Sequence, residues 1–160
     1  MTYQQIQAFI FREARLLDDR KWEEWLACYH KSVIYWMPAW DDDDLLTEDP
    51  LSEISLIFYP NKNGLEDRVY RLKTERSGAS MPEPRTTHQL SNLEILKQDE
   101  RTVELRFNFN TLSHRYRETS QFFGTNYYTL DISGDQPLII NKRIVLNNDY
   151  INQVVDVYHL

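Results

Sequence analysis

Residues 101–113 read RTVELRFNFNTLS, and this stretch decides the fold. Val103, Leu105, Phe107 and Phe109 alternate with Glu104, Arg106, Asn108 and Asn110. A period of two sends apolar side chains to one face of an extended chain and polar ones to the other, the pattern of a half-buried strand. Three further strand candidates surround it. Thr86–Leu96 is the least regular; Gln121–Ile132 is rich in Phe, Tyr and Thr; Leu138–Leu146 follows the turn Ser133-Gly134-Asp135-Gln136-Pro137. Short connections between long strands predict antiparallel hairpins. The tail Tyr150–Leu160 carries Ile151, Val154, Val155, Val157 and Tyr158, and so apolar an end is expected as a short strand or a docked segment.

Upstream the periodicity changes. From Thr2 to Asp18, Ile6, Phe9, Ile10, Ala14 and Leu17 fall on one face at helical spacing, and Thr2 with Gln5 forms a capping box. Asp18 and Asp19 are placed to cap a second helix bearing Trp22, Trp25, Leu26 and Tyr29. Val33–Met37 reads as a strand ending at Pro38, and Ile54–Tyr59 as a short strand before Pro60. Between them, six of the nine residues Asp41–Asp49 are acidic and show no periodicity, so the stretch is a surface loop. Gly64–Glu75 reads as a helix through Leu65, Val69 and Leu72, and Ser77–Arg85 as a Pro- and Gly-containing loop. These elements give an α+β architecture: a strongly bent, mostly antiparallel sheet with about three helices in its concave side, a cone open at one end.

The chain has 160 residues, enough for one domain, residues 1–160, with a real core. A net charge of −7 with dispersed basic residues argues against nucleic acid, which requires a clustered positive face. No run approaches the roughly 18–20 apolar residues of a membrane span. The start MTYQQIQAFIFREA lacks a basic region and is interrupted by Arg12 and Glu13, unlike a secretory signal, so a cytoplasmic location is expected. The lone Cys28 forms no internal disulfide and no Rieske cluster, which takes two Cys and two His; on its helix it reads as a small core residue.

The polar residues offer little chemistry. His30, His88, His114 and His159 have no metal-ligand spacing, although His88 and His114 lie on candidate neighbouring strands. Asp41–Asp44 fails the calcium-loop pattern, because Leu45 and Leu46 stand where an oxygen ligand and Gly belong. The acidic stretch is a solvated loop or a docking surface for a basic partner. Trp36, Trp40 and the Tyr-rich strand are either core and interface material or the lining of a ligand pocket. No phosphate loop and no nucleophile elbow occurs.

Five stretches together resemble one family: FIFREARLLDDRKWEEWLACY at the N-terminus, YWMPAW at 35–40, GLEDRVYRLKTERS at 64–77, FFGTNYYTL at 122–130 and KRIVLNNDYI at 142–151. In this order and spacing they are similar to small (beta) subunits of aromatic-ring-hydroxylating dioxygenases, in the benzoate, toluate and anthranilate 1,2-dioxygenase subgroup. The resemblance implies the cone fold of nuclear transport factor 2. It implies a hexamer of three large (alpha) and three small subunits, with the small ones as a trimeric base. The large subunit would hold a Rieske [2Fe-2S] cluster, mononuclear Fe(II) and the aromatic acid, and a separate reductase would supply electrons from NADH. The product would be a cis-diol. No catalytic, cofactor-binding or metal-binding residue is implied on this chain. The competing readings are a free-standing dehydratase or isomerase of the same fold, with Asp131, His88 or Tyr128 as acid or base, and a binder of small apolar ligands. The subunit reading predicts an exposed apolar and aromatic surface and trimerisation through the sheet; the enzyme reading predicts an open pocket with convergent titratable groups.

Overall fold

A computed structural model describes residues 1–74, 82–148 and 154–160. Helix α1 spans Tyr3–Asp18 and starts as its capping box dictates: Thr2 Oγ1 accepts from the Gln5 N–H at 3.3 Å, and Gln5 Oε1 accepts from the Thr2 N–H at 2.8 Å. Its predicted apolar face is buried, and Leu16 and Glu13 are buried with it. The chain reverses at Arg20, which has φ 55°. Helix α2 is only Trp22–Leu26, shorter than the spacing suggested. Its N-cap is Lys21, with no side-chain hydrogen bond. Asp18 and Asp19 do not cap it, because Asp18 is still helical and its carboxylate is turned onto a strand. Tyr29 leaves the helix to open strand β1, Tyr29–Pro38, where it pairs with Ile139. The i+7 spacing is thus carried into a strand by pairing energy that local periodicity does not register.

Strand β2 is Ser55–Tyr59 and helix α3 is Lys62–Lys73, capped by Asn61, whose side chain accepts from the Asn63 N–H at 3.0 Å. Leu65, Val69 and Leu72 are its buried stripe. Of the expected loop Ser77–Arg85, residues 77–81 lie outside the described residues, as does Glu75, while Arg85 already belongs to strand β3, Arg85–Gln98. Strands β4 (Thr102–Arg115), β5 (Glu118–Asp131) and β6 (Leu138–Leu146) follow. Residues 150–153 of the tail are outside the described residues; Val157–His159 is a docked 3-10 turn, buried with Leu160.

The six strands form one sheet in the order β2-β1-β6-β5-β4-β3. All pairings are antiparallel except β1 with β6. The β4–β5 ladder runs unshifted from Thr102↔Asp131 to Arg115↔Glu118. It closes on Tyr116-Arg117, both at positive φ, as a two-residue hairpin turn requires. Register shifts on β3 after Ser91 and on β6 at Ile140, opposite Thr129 and Leu130, introduce the bends that curve the sheet. Its inner face, including Val103, Leu105, Phe107, Phe122, Tyr128 and Ile144, packs with the helices as one core. Among the described residues no helix is long and apolar enough to cross a membrane.

Candidate functional site

The inside of the cone is occupied by its own side chains. Glu13 lies on the apolar stripe of α1, between Ile10 and Leu17, and is buried. Its Oε1 accepts from Trp25 Nε1 at 2.8 Å and from the Tyr29 hydroxyl at 2.5 Å; its Oε2 accepts from the Tyr128 hydroxyl at 3.2 Å. Lys142 shares the parity of Ile144 and Leu146 on β6, so it also points inward, and it is fully buried. Its Nζ lies 3.4 Å from Glu13 Oε1, 3.4 Å from the Tyr29 hydroxyl and 3.3 Å from the Leu160 carbonyl, over the rings of Tyr35 and Tyr128. Burial lowers the Lys142 pKa while Glu13 opposes that fall. Burial, then the Glu13 charge, holds the hydroxyls of Tyr29, Tyr35 and Tyr128 well above their usual value. The arrangement ties two helices, three strands and the tail together, and Glu13 and Lys142 spend their hydrogen bonds on protein groups. Neither residue stood out in the sequence as a candidate. The available signal was parity: a charged residue in register with an apolar stripe.

The residues considered as acid or base are held apart. Tyr128 belongs to the Glu13 cluster. Asp131 faces outward at the end of β5, its carboxylate accepting from the Ser133 N–H at 2.9 Å and the Ser133 hydroxyl at 2.6 Å. His88 points inward from β3 and is fixed by Asp18. His88 Nδ1 is 2.6 Å from Asp18 Oδ1, the His88 N–H donates to Oδ2 at 3.0 Å, and the Thr86 hydroxyl donates to Oδ1 at 2.9 Å. Burial alone would raise the Asp18 carboxyl, but these contacts hold it below its usual value. The pair closes the C-terminal end of α1 onto β3.

The four histidines do not converge. His88 faces inward, whereas His114, on the next strand, faces outward and bonds the Thr119 hydroxyl at 2.8 Å. His159 stacks on Phe122 at 4.2 Å between ring centres, and burial pushes its pKa down to about 3, with help from the charges of His88 and Arg115. His30 bonds Ser32 near the start of β1. Among the described residues, no group of three His, Cys, Asp or Glu side chains is placed to hold a metal. One cysteine and dispersed histidines do not fit a Rieske cluster. Burial, then the Glu13 charge, pushes the Cys28 thiol up to about 12, which disfavours the thiolate.

The aromatic pocket does not form, because strand alternation splits its members. Tyr128 points in and Tyr127 points out. Trp36 lies on the outer face and donates to Ser55 Oγ at 2.9 Å, while Trp40 donates to the Leu146 carbonyl at 2.6 Å. The outer face instead carries a row of register neighbours running Phe58, Trp36, Arg143, Tyr127, Arg106 and Glu94. The Arg143 guanidinium sits 5.3 Å from the Trp36 ring centre and 5.7 Å from that of Tyr127. Its Nε is buried without a hydrogen-bond partner, as is Asn108 Oδ1 on the same face. Ile34, Leu56, Leu112 and Phe123 are exposed on the same outer face.

Residues 12–153 match the family described as "Ring hydroxylating beta subunit". The 2-halobenzoate 1,2-dioxygenase small subunit of Burkholderia cepacia is 56% identical over 159 residues, spanning 99% of this chain and 96% of that one. The crystallised beta subunit of benzoate 1,2-dioxygenase from Burkholderia mallei superposes with a TM-score of 0.85 at 48% identity, covering 100% of this chain and 98% of that one. A putative scytalone dehydratase from Novosphingobium aromaticivorans has a TM-score of 0.70 at 14% identity, over 96% of this chain and 91% of that one, and shares the fold alone.

Proposed function

The chain belongs to the ring-hydroxylating beta-subunit family, as the small subunit of an aromatic-ring dioxygenase, and from that premise we propose that its own work is structural. The observation that carries this reading is the apolar and aromatic character of the outer sheet face. The buried charges Glu13 and Lys142 meet each other inside the cone, whereas the outer sheet face exposes the apolar side chains Ile34, Leu56, Leu112 and Phe123 together with the aromatic-framed Arg143. Exposed apolar and aromatic side chains grouped on one sheet face with an arginine at their centre are the composition of an assembly surface.

In this reading residues 1–160 act as one domain that contributes no catalytic, cofactor-binding or metal-binding residue. Three copies form the base of a cytoplasmic hexamer with three large subunits. Those hold the Rieske cluster and the mononuclear iron and receive NADH-derived electrons through a reductase. The substrate class is an aromatic carboxylate, by likeness to the halobenzoate and benzoate enzymes, with cis-dihydroxylation as the reaction.

Co-expression with the cognate large subunit tests it, by size-exclusion chromatography and oxygen uptake on benzoate, 2-halobenzoate and anthranilate. The expected result is a stable complex that is active on the benzoates and inactive when this chain is omitted. Full activity of the large subunit alone, or stoichiometric iron in this chain purified alone, would overturn the proposal.

A further inference from the structure

We infer that the outward sheet face centred on Arg143 receives the acidic loop Asp41–Asp49 of a second copy of this chain. The inference rests on the small-subunit reading and goes beyond it by naming both halves of one contact. The receiving half is the cation–aromatic row. The Arg143 guanidinium lies over the rings of Trp36 and Tyr127, which frame it, and among the described residues its Nε has no hydrogen-bond partner and its side chain no carboxylate partner. A fixed planar fork is preorganised for a carboxylate, and aromatic-framed arginines are what interface centres use. Arg106, two strands away in the same row, is likewise without an ion pair among the described residues.

The inserting half is the loop between β1 and β2. None of its carboxylates pairs with Lys or Arg among the described residues. Asp41, Asp43 and Asp49 instead accept backbone N–H groups of the loop itself, while Asp42 and Glu48 point to solvent. The loop is pinned in shape by the Trp40↔Leu46 bridge and by the Thr47 hydroxyl, which donates to the Ile54 carbonyl at 2.9 Å. It also exposes Leu45, and the segment that follows it exposes Leu51 and Ile54, at 63%, 84% and 77%. A solvated loop has no use for three such side chains, whereas a docking element does. Acid with aliphatic on one half matches cation with aromatic on the other. Both halves are unmatched among the described residues, and a contact between two different patches can repeat head to tail around a closed ring.

The test is a charge swap in the complex purified with the large subunit, and in the chain alone, read by native mass spectrometry. Arg143→Glu is expected to weaken small-to-small association at least about tenfold, the effect of reversing a desolvated interface charge. Asp42→Lys with Glu48→Lys should do the same, and the three changes together should restore association. Thermal melts confirm that each variant is folded, and Arg143→Lys, which keeps the charge, should retain part of the association. Undiminished association of Arg143→Glu, absence of rescue in the folded triple variant, or loss of the large subunit alone each overturns the inference. A wild-type chain that fails to bind the large subunit would instead strike at the small-subunit reading.

Discussion

Glu13→Gln is the sharpest probe of the interior. The change keeps the shape and one oxygen acceptor for Trp25 and Tyr29 but removes the charge that opposes the desolvation of Lys142. A fully buried ammonium without a carboxylate either stays charged at high cost or gives up its proton. Neutralising a lysine costs about 1.4 kcal/mol for each pH unit below its unfolded pKa of about 10.4, so the ceiling at pH 7 is about 4–5 kcal/mol. The Tyr29 hydroxyl, the Leu160 carbonyl and the rings of Tyr35 and Tyr128 remain around Nζ and soften this. A loss of about 3 kcal/mol is expected, at the lower end of what breaking a buried pair costs. The pH dependence has a definite sign. With the folded pKa of Lys142 depressed, the unfolded chain binds more protons, so stability rises with pH up to the unfolded pKa. The deficit should therefore shrink between pH 7 and pH 9.5. Urea titrations of wild type and variant at both values measure it. A deficit below about 0.5 kcal/mol at pH 7, or one of equal size at both pH values, would refute the claim that Glu13 and Lys142 are an ion pair of the folded state.

Other outcomes are equally concrete. Trp25→Ala removes a fully buried indole and its bond to Glu13, and should cost about 3–5 kcal/mol in a chemical melt. Gly124→Ala should destabilise by about 1–3 kcal/mol or prevent folding, because a Cβ there would lie 1.9 Å from the Val145 carbonyl oxygen; a wild-type melting temperature would show that β5 and β6 are not so close. Tyr29, Tyr35 and Tyr128 have raised pKa values in the fold, so stability should be intact below about pH 10 and fall above it as the unfolded tyrosines ionise first. Tyrosinate absorbance followed through alkaline unfolding checks this; all ten tyrosines titrating together in the native state would contradict it.

Residues 101–113 were readable because alternation and burial coincide on β4. The same held for the capping box of α1, the stripe of α3 and the bounds of β6. Helix α2 was overextended because Tyr29 satisfies helical spacing while its pairing with β6, 110 positions away, outweighs it. Of the two readings of the aromatic residues, core and interface material or pocket lining, the pocket does not form for a related reason. Counting aromatic residues ignores which face each one takes, and neighbouring Tyr127 and Tyr128 are sent to opposite sides of the sheet. The contact by which Asp18 holds His88 was not legible in the sequence, since the two meet only when α1 packs on β3.

The local pattern by itself determined that this chain folds as helices against a curved antiparallel sheet, that it lacks the cysteines for an iron–sulfur centre, and that it resembles a dioxygenase small subunit. Periodicity, capping and composition act over a few residues, so one strand of sequence suffices to express them. Tertiary structure alone decided that Glu13 and Lys142 meet in the interior and that Arg143 lies outside between two aromatic rings, without an ion pair among the described residues. Those facts depend on which strands become neighbours and which face each residue takes, and strand pairing at long range is fixed only by the packing of the whole sheet.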